Sequence, residues 1–97
     1  MLRLNTFERT AKYLIAGTRG GPMRARIINS LLKKPRNTNE IAQLLGIDYK
    51  TAAYHLQVLL KMNWVVNGNE KYADLYKSTF TEEEKSAFSE IAGKIKK

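Results

Sequence analysis

Two short amphipathic helices joined by a glycine turn, then two strand-like runs around Asn67-Gly68, predict a mainly α fold with a small β-hairpin. A further helix precedes this pair, and one more lies at each end of the resulting core. The pattern is a winged helix-turn-helix, three helices plus a wing, with an added N-terminal and C-terminal helix in a single domain over 1–97. Ninety-seven residues suit one domain, and such a chain buries about 60–68% of its unfolded surface. That allows one modest core and excludes a second domain with its own cleft.

The first helix is predicted over 5–16. Asn5-Thr6-Phe7-Glu8 has the spacing of a capping box, and Phe7, Ala11, Leu14 and Ile15 recur on one face before Gly17. Arg19-Gly20-Gly21 reads as a flexible link, with Pro22 opening the second helix. There Ile27, Ile28, Leu31 and Leu32 point inward while Arg24 and Arg26 stay polar, and Lys33-Lys34-Pro35-Arg36 stops the helix. Asn37-Thr38-Asn39-Glu40 starts a short third helix with Ile41, Leu44 and Leu45 as its apolar face and Gly46 as its end. Asp48 caps a fourth helix running to about Met62, with Ala52, Leu56, Leu59 and Leu60 buried. These elements form the core over 22–62, with the helix-turn-helix at 38–62.

The period then changes from helix to strand. Trp64-Val65-Val66 and Asp74–Thr79 read as the strands of a wing over 64–79, joined by an exposed loop from Gly68 to Ala73. Trp64 and Tyr76 are expected in the hairpin core. Thr81-Glu82-Glu83-Glu84 caps a last helix over 81–96, with Phe88, Ile91, Ala92 and Ile95 as its stripe.

Composition narrows the function. The chain lacks the run of about 18 apolar residues that a membrane span needs, and its first residues lack the apolar stretch of a secretory signal. Without cysteine there is no thiolate nucleophile, disulfide or Cys-built zinc site, and a reducing cytoplasm is the expected location. The net charge is +8. Residues 1–36 hold nine bases against one acid, Glu8, while 37–97 hold eight of each. A basic third points to a polyanion, nucleic acid first and an anionic membrane surface second.

The fourth helix carries the chemistry. With Ala52, Leu56 and Leu59 inward, Lys50, Tyr54, Gln57 and Lys61 fall on the opposite face, flanked by Tyr49 and Ala53. A helix entering the major groove needs such donors and cations near its N-terminus. Lys50 suits guanine O6 or N7 or a phosphate, and Gln57 suits adenine. Tyr49 and Tyr54 suit a phosphate or a thymine methyl, and small Ala53 permits close approach. Arg24 and Arg26 are expected to flank this helix and supply the charge that 37–79, with four bases and four acids, lacks.

Pro22-Met23-Arg24-Ala25-Arg26-Ile27-Ile28, the Glu40–Ile47 run, and Thr51-Ala52-Ala53-Tyr54-His55-Leu56 with Val58-Leu59 are three segments at matching separations. Together they resemble the arsenic-repressor (ArsR) family of winged-helix regulators. The likeness covers about residues 20–79 and implies a small dimeric transcription regulator, usually a repressor. It assigns base contacts to Tyr49, Lys50, Ala53 and Tyr54, and backbone contacts to Thr38, Thr51 and the wing around Lys71. It also places a dimer interface on the first and last helices, here Phe7, Leu14, Ile15, Phe88, Ile91 and Ile95. The paired cysteines, or His and acidic ligands, of metal-sensing members are missing, and His55 stands alone within the recognition helix. No metal and no cofactor is therefore expected. The usual serine at the Ala53 position is also absent.

Double-stranded DNA and a second copy of the chain are the expected partners. The competing class is a winged helix used as a protein-interaction module within a larger assembly. RNA reading is weaker, since no aromatic sheet platform is visible. No phosphate loop, nucleophile–base pair or carboxylate dyad can be assembled, so an enzyme is not expected.

Overall fold

The computed structural model describes residues 2–68 and 75–93, with side chains from Thr6 onward. Its elements are α1 (Leu2–Ala11), a π-helical turn (Lys12–Ala16), α2 (Gly21–Lys33), α3 (Thr38–Leu45) and α4 (Tyr49–Lys61). They continue with β1 (Val65–Asn67), β2 (Tyr76–Ser78) and α5 (Glu82–Gly93). The chain divides into two compact units, Met1–Ala25 with Phe80–Lys97, and Arg26–Thr79. A mainly helical fold with a two-stranded hairpin, consistent with a winged helix-turn-helix, is what the sequence predicts.

In the unit Arg26–Thr79 the caps set the helix ends. Asn37 is extended, its side chain accepts from the Glu40 N–H at 2.7 Å, and the Glu40 carboxylate accepts from the Asn37 N–H at 2.9 Å. This reciprocal box satisfies two donors that the first turn of α3 would otherwise leave open. At the other end Gly46 turns left-handed at φ 70°. Its N–H donates to Gln43 O, and the Ile47 N–H donates to Ala42 O at 3.0 Å. These are the paired bonds of a Schellman motif. The same motif closes α4 around a residue the sequence does not flag. Asn63 is left-handed at φ 62°, with Asn63 N–H on Leu60 O and Trp64 N–H on Leu59 O. Asparagine tolerates that region because its short side chain bonds locally.

Ile27, Ile28, Ile41, Leu56, Leu59 and Val65 are almost fully buried in this unit. Leu44 departs from its expected inward place and is 54% exposed. The short α3 turns Ile41 and Ala42 inward instead, with Leu45 half-buried.

The hairpin is antiparallel, Val65 facing Ser78, Val66 facing Lys77 and Asn67 facing Tyr76. It has a partner that the sequence pattern hides. Arg36 N–H donates to Tyr76 O at 3.1 Å and Tyr76 N–H donates to Arg36 O at 2.8 Å. A segment that reads only as a helix stop therefore supplies a one-residue bridge to the far edge of β2. The Arg36 Nε donates back to Ser30 O at 3.0 Å. The loop residues 69–74, including Lys71, lie outside the described residues.

In the other unit α1 already runs from Leu2 through Asn5, so the capping box expected at Asn5 does not form. Asparagine costs a helix interior little, and the helix continues past it. The chain widens into the π-helical turn and stops at Gly17, whose N–H donates to Tyr13 O at 3.0 Å. The terminal helix behaves as expected at its start. Glu84 N–H donates to the Thr81 hydroxyl at 3.1 Å, and Thr81 N–H donates to the Glu84 carboxylate at 3.0 Å.

Here the predicted dimer stripes find another use. Phe7, Ile15, Phe88 and Ile91 are at most 7% exposed. Phe80 sits between two of them, 5.0 Å from Phe7 edge-on and 5.7 Å from Phe88. α1 and α5 pack on each other, so these side chains form the chain's own core and offer no open dimer face. Leu14 is half-buried and Ile95 lies outside the described residues.

Two glycines are required for different reasons, and substitution separates them. A Cβ on Gly21 would stand 1.8 Å from the Ile15 carbonyl oxygen, whereas one on Gly46 would meet nothing within 4 Å. Gly21→Ala should cost about 1–3 kcal/mol by overpacking. Gly46→Ala should cost about 1–2 kcal/mol through its left-handed backbone alone. Thermal unfolding checks both. Asparagine should restore much of the loss at 46 and none at 21.

Candidate nucleic-acid interface

The start of α4 is fixed by Asp48, whose carboxylate accepts the Thr51 N–H at 3.0 Å. Hydrogen bonds from Thr51, its hydroxyl first and its N–H second, hold the Asp48 pKa below the ordinary 3.8, with the Lys50 cation a smaller cause. Only Gly46 and Ile47 separate the end of α3 from this cap. The rotation of α4 about its axis is set on its other side, where Ala52, Leu56 and Leu59 are 0% exposed.

What remains outward is a polar and aromatic face. Tyr49 is 57% and Tyr54 62% exposed, and Lys50, Thr51, Gln57 and Lys61 are exposed beside them. Ala53 is half-buried between the tyrosines. His55 is buried at 7%, its ring 5.3 Å from that of Tyr54 at 60°. It packs beside the exposed tyrosine and is shielded from solvent. Among the described residues no group of three His, Cys, Asp or Glu could hold a metal ion.

The expected flanking residues fare differently. Arg26 is exposed on α2. Arg24 is only 5% exposed, and its Nη2 donates to Leu14 O at 3.2 Å and to the Thr18 hydroxyl at 2.6 Å. The guanidinium is turned inward to hold carbonyl and hydroxyl acceptors, so the surface contact expected of it is corrected. Thr38 is corrected likewise, since its side chain is buried at the first position of α3.

Three cations missing from the expected set belong to the same unit. Lys33, which ends α2, and Lys34 just after it are exposed, and Lys77 is exposed on β2 between the half-buried Tyr76 and Ser78. The period-two alternation of the returning strand contains the Lys77 signal. Among the described residues Arg26, Lys33, Lys34, Lys61 and Lys77 make no ion pair, the Lys85–Glu82 contact on α5 being of another unit. The two described acids of this unit, Glu40 and Asp48, bind backbone N–H groups at helix starts instead. Residues 26–79 hold eight bases against four acids, so this unit is basic by its sequence as well.

Residues 21–65 match the family model of bacterial regulatory proteins of the arsR family. The segment is an ArsR-like helix-turn-helix. No curated protein and no solved structure gives a significant match to the chain. The matched residues begin at Gly21 and end at Val65, so they take in α2, α3, α4 and the first residue of β1. An ArsR-type helix-turn-helix supports a DNA-binding transcription regulator. No helix among the described residues is long and apolar enough to cross a membrane.

Acid separates the cap from the rest of the ArsR-like segment. Because the folded pKa of Asp48 is depressed, its stabilisation is fully present above the ordinary 3.8 and is lost as pH falls through the lower folded value. The Thr51 amide should therefore lose hydrogen-exchange protection as the solution is acidified through that range. In Asp48→Asn this pH step should vanish while the cap persists.

Proposed function

We propose that this chain is a transcriptional repressor that reads double-stranded DNA by laying α4 in the major groove. The observation that carries the proposal is the outward face of α4, where Lys50, Tyr54, Gln57 and Lys61 lie opposite a fully buried stripe. An α-helix fits the major groove, where each base pair has its own pattern of donors and acceptors. Lys50 donates to guanine O6 or N7, and Gln57 pairs with adenine N6 and N7. Tyr49 and Tyr54 pack on a thymine methyl or bond a phosphate, with Ala53 leaving room for the approach. Thr51 and Lys61 hold the backbone on either side, joined by Arg26, Lys33, Lys34 and Lys77.

Repression follows from occupancy: a protein seated in the groove excludes other proteins from the same bases. A homodimer belongs to this reading through a face other than Phe7, Ile15, Phe88 and Ile91, which the chain itself covers.

Selection from a random duplex library at about 0.1 M salt, where non-specific binding is already weakened, tests the reading. An enriched motif supports base reading, and its arrangement as an inverted repeat supports two copies. Retention without enrichment, or no retention, overturns it. Gln57→Ala should relax discrimination at one base pair by about 1–3 kcal/mol, a roughly 5- to 150-fold loss of preference. Lys61→Gln should weaken binding to every sequence and reduce the salt slope by about one.

A further inference from the structure

The unit Met1–Ala25 with Phe80–Lys97 carries charge that the reading of α4 does not use. Arg9, Lys12, Tyr13 and Ala16 are exposed at helical spacing along α1 and the π-helical turn, and Arg19 is exposed in the turn that follows. Tyr13 is 66% exposed, more than any other large hydrophobic side chain described. Glu8 is the one acid in residues 1–25. Among the described residues neither it nor any other carboxylate pairs with Arg9, Lys12 or Arg19. The turn bearing Arg19 is held in place from within: Thr18 donates to Leu14 O at 2.8 Å and accepts from the buried Arg24. A π-helical turn is a rare departure that often marks functional positions.

We propose that Arg9, Lys12 and Arg19, with Tyr13 among them, form a second surface for the phosphodiester backbone of DNA, independent of sequence. The inference rests on the DNA-reading role of α4. Three cations that form no ion pair among the described residues match a polyanion, and each phosphate neutralised releases condensed counterions. The tyrosine hydroxyl adds a phosphate donor. An anionic membrane fits the surface less well. A helix lying on a bilayer needs its apolar face free to enter the lipid, whereas Phe7, Ala11 and Ile15 are buried here.

The test compares the full chain with Arg9→Gln/Lys12→Gln/Arg19→Gln on a duplex bearing the selected motif and on a scrambled duplex, over a range of salt. The slope of log K against log salt should shrink by about three, and both duplexes should weaken by the same factor. Each single variant should account for about one. Lys85→Gln removes a cation already paired with Glu82 and should leave the slope unchanged. Unchanged slopes in the triple and single variants overturn the inference, and so does a per-charge loss equal to that of Lys85→Gln. Loss of binding to anionic vesicles with duplex binding intact overturns it in favour of a membrane. Failure of the α4 reading looks different: the full chain would show no preference between the duplexes, while the triple variant still lowered the slope.

Discussion

The left-handed backbone at Gly46 is the constraint from which the functional surface follows. It turns the chain out of α3 with its carbonyls satisfied and delivers Asp48, two residues later, in the extended conformation that caps α4. A helix so closely tied at its start cannot slide along its axis. Burial of Ala52, Leu56 and Leu59 then fixes its rotation. The exposed face of α4 is therefore a result of one turn and three side chains, and the polar residues on it need no support of their own.

Charge obeys the same economy of placement. In the unit Arg26–Thr79 the carboxylates of Glu40 and Asp48 accept backbone N–H groups and form no ion pair among the described residues, while Asp48 keeps a weaker attraction to Lys50. Helix starts favour negative charge through the macrodipole. Acids located there stabilise the fold and leave the cations available.

What the sequence made legible was local. Asn37, Gly46, Asp48 and Thr81 act through neighbours three to five residues away, and each does what its type and spacing predict. The buried and exposed sides of α4 were equally readable, because a period of 3.6 with three small or aliphatic residues admits one solution. The misreadings share a different cause. Arg24, a charged residue off the apolar stripe of α2, looks like surface until Leu14 O and Thr18, ten and six residues earlier, supply acceptors. The stripes of α1 and α5 look unpartnered until the two helices, from opposite ends of the chain, meet around Phe80. Asn5 carries a cap signal that loses to a helix already under way. Amphipathic periodicity says that a face is covered and is silent on what covers it.

The bridge from Arg36 to Tyr76 bears on how this molecule comes to be folded. A hairpin of two three-residue strands is too small to persist alone in water. The backbone of Tyr76 is bonded on both edges, to β1 and to a residue that precedes α3. Joining 36 to 76 encloses α3 and α4 within one loop, and the entropy of closing it falls as those helices shorten the span. A hairpin that depends on this closure is expected to assemble on helices already in place, and to loosen when the segment between α2 and α3 gives way.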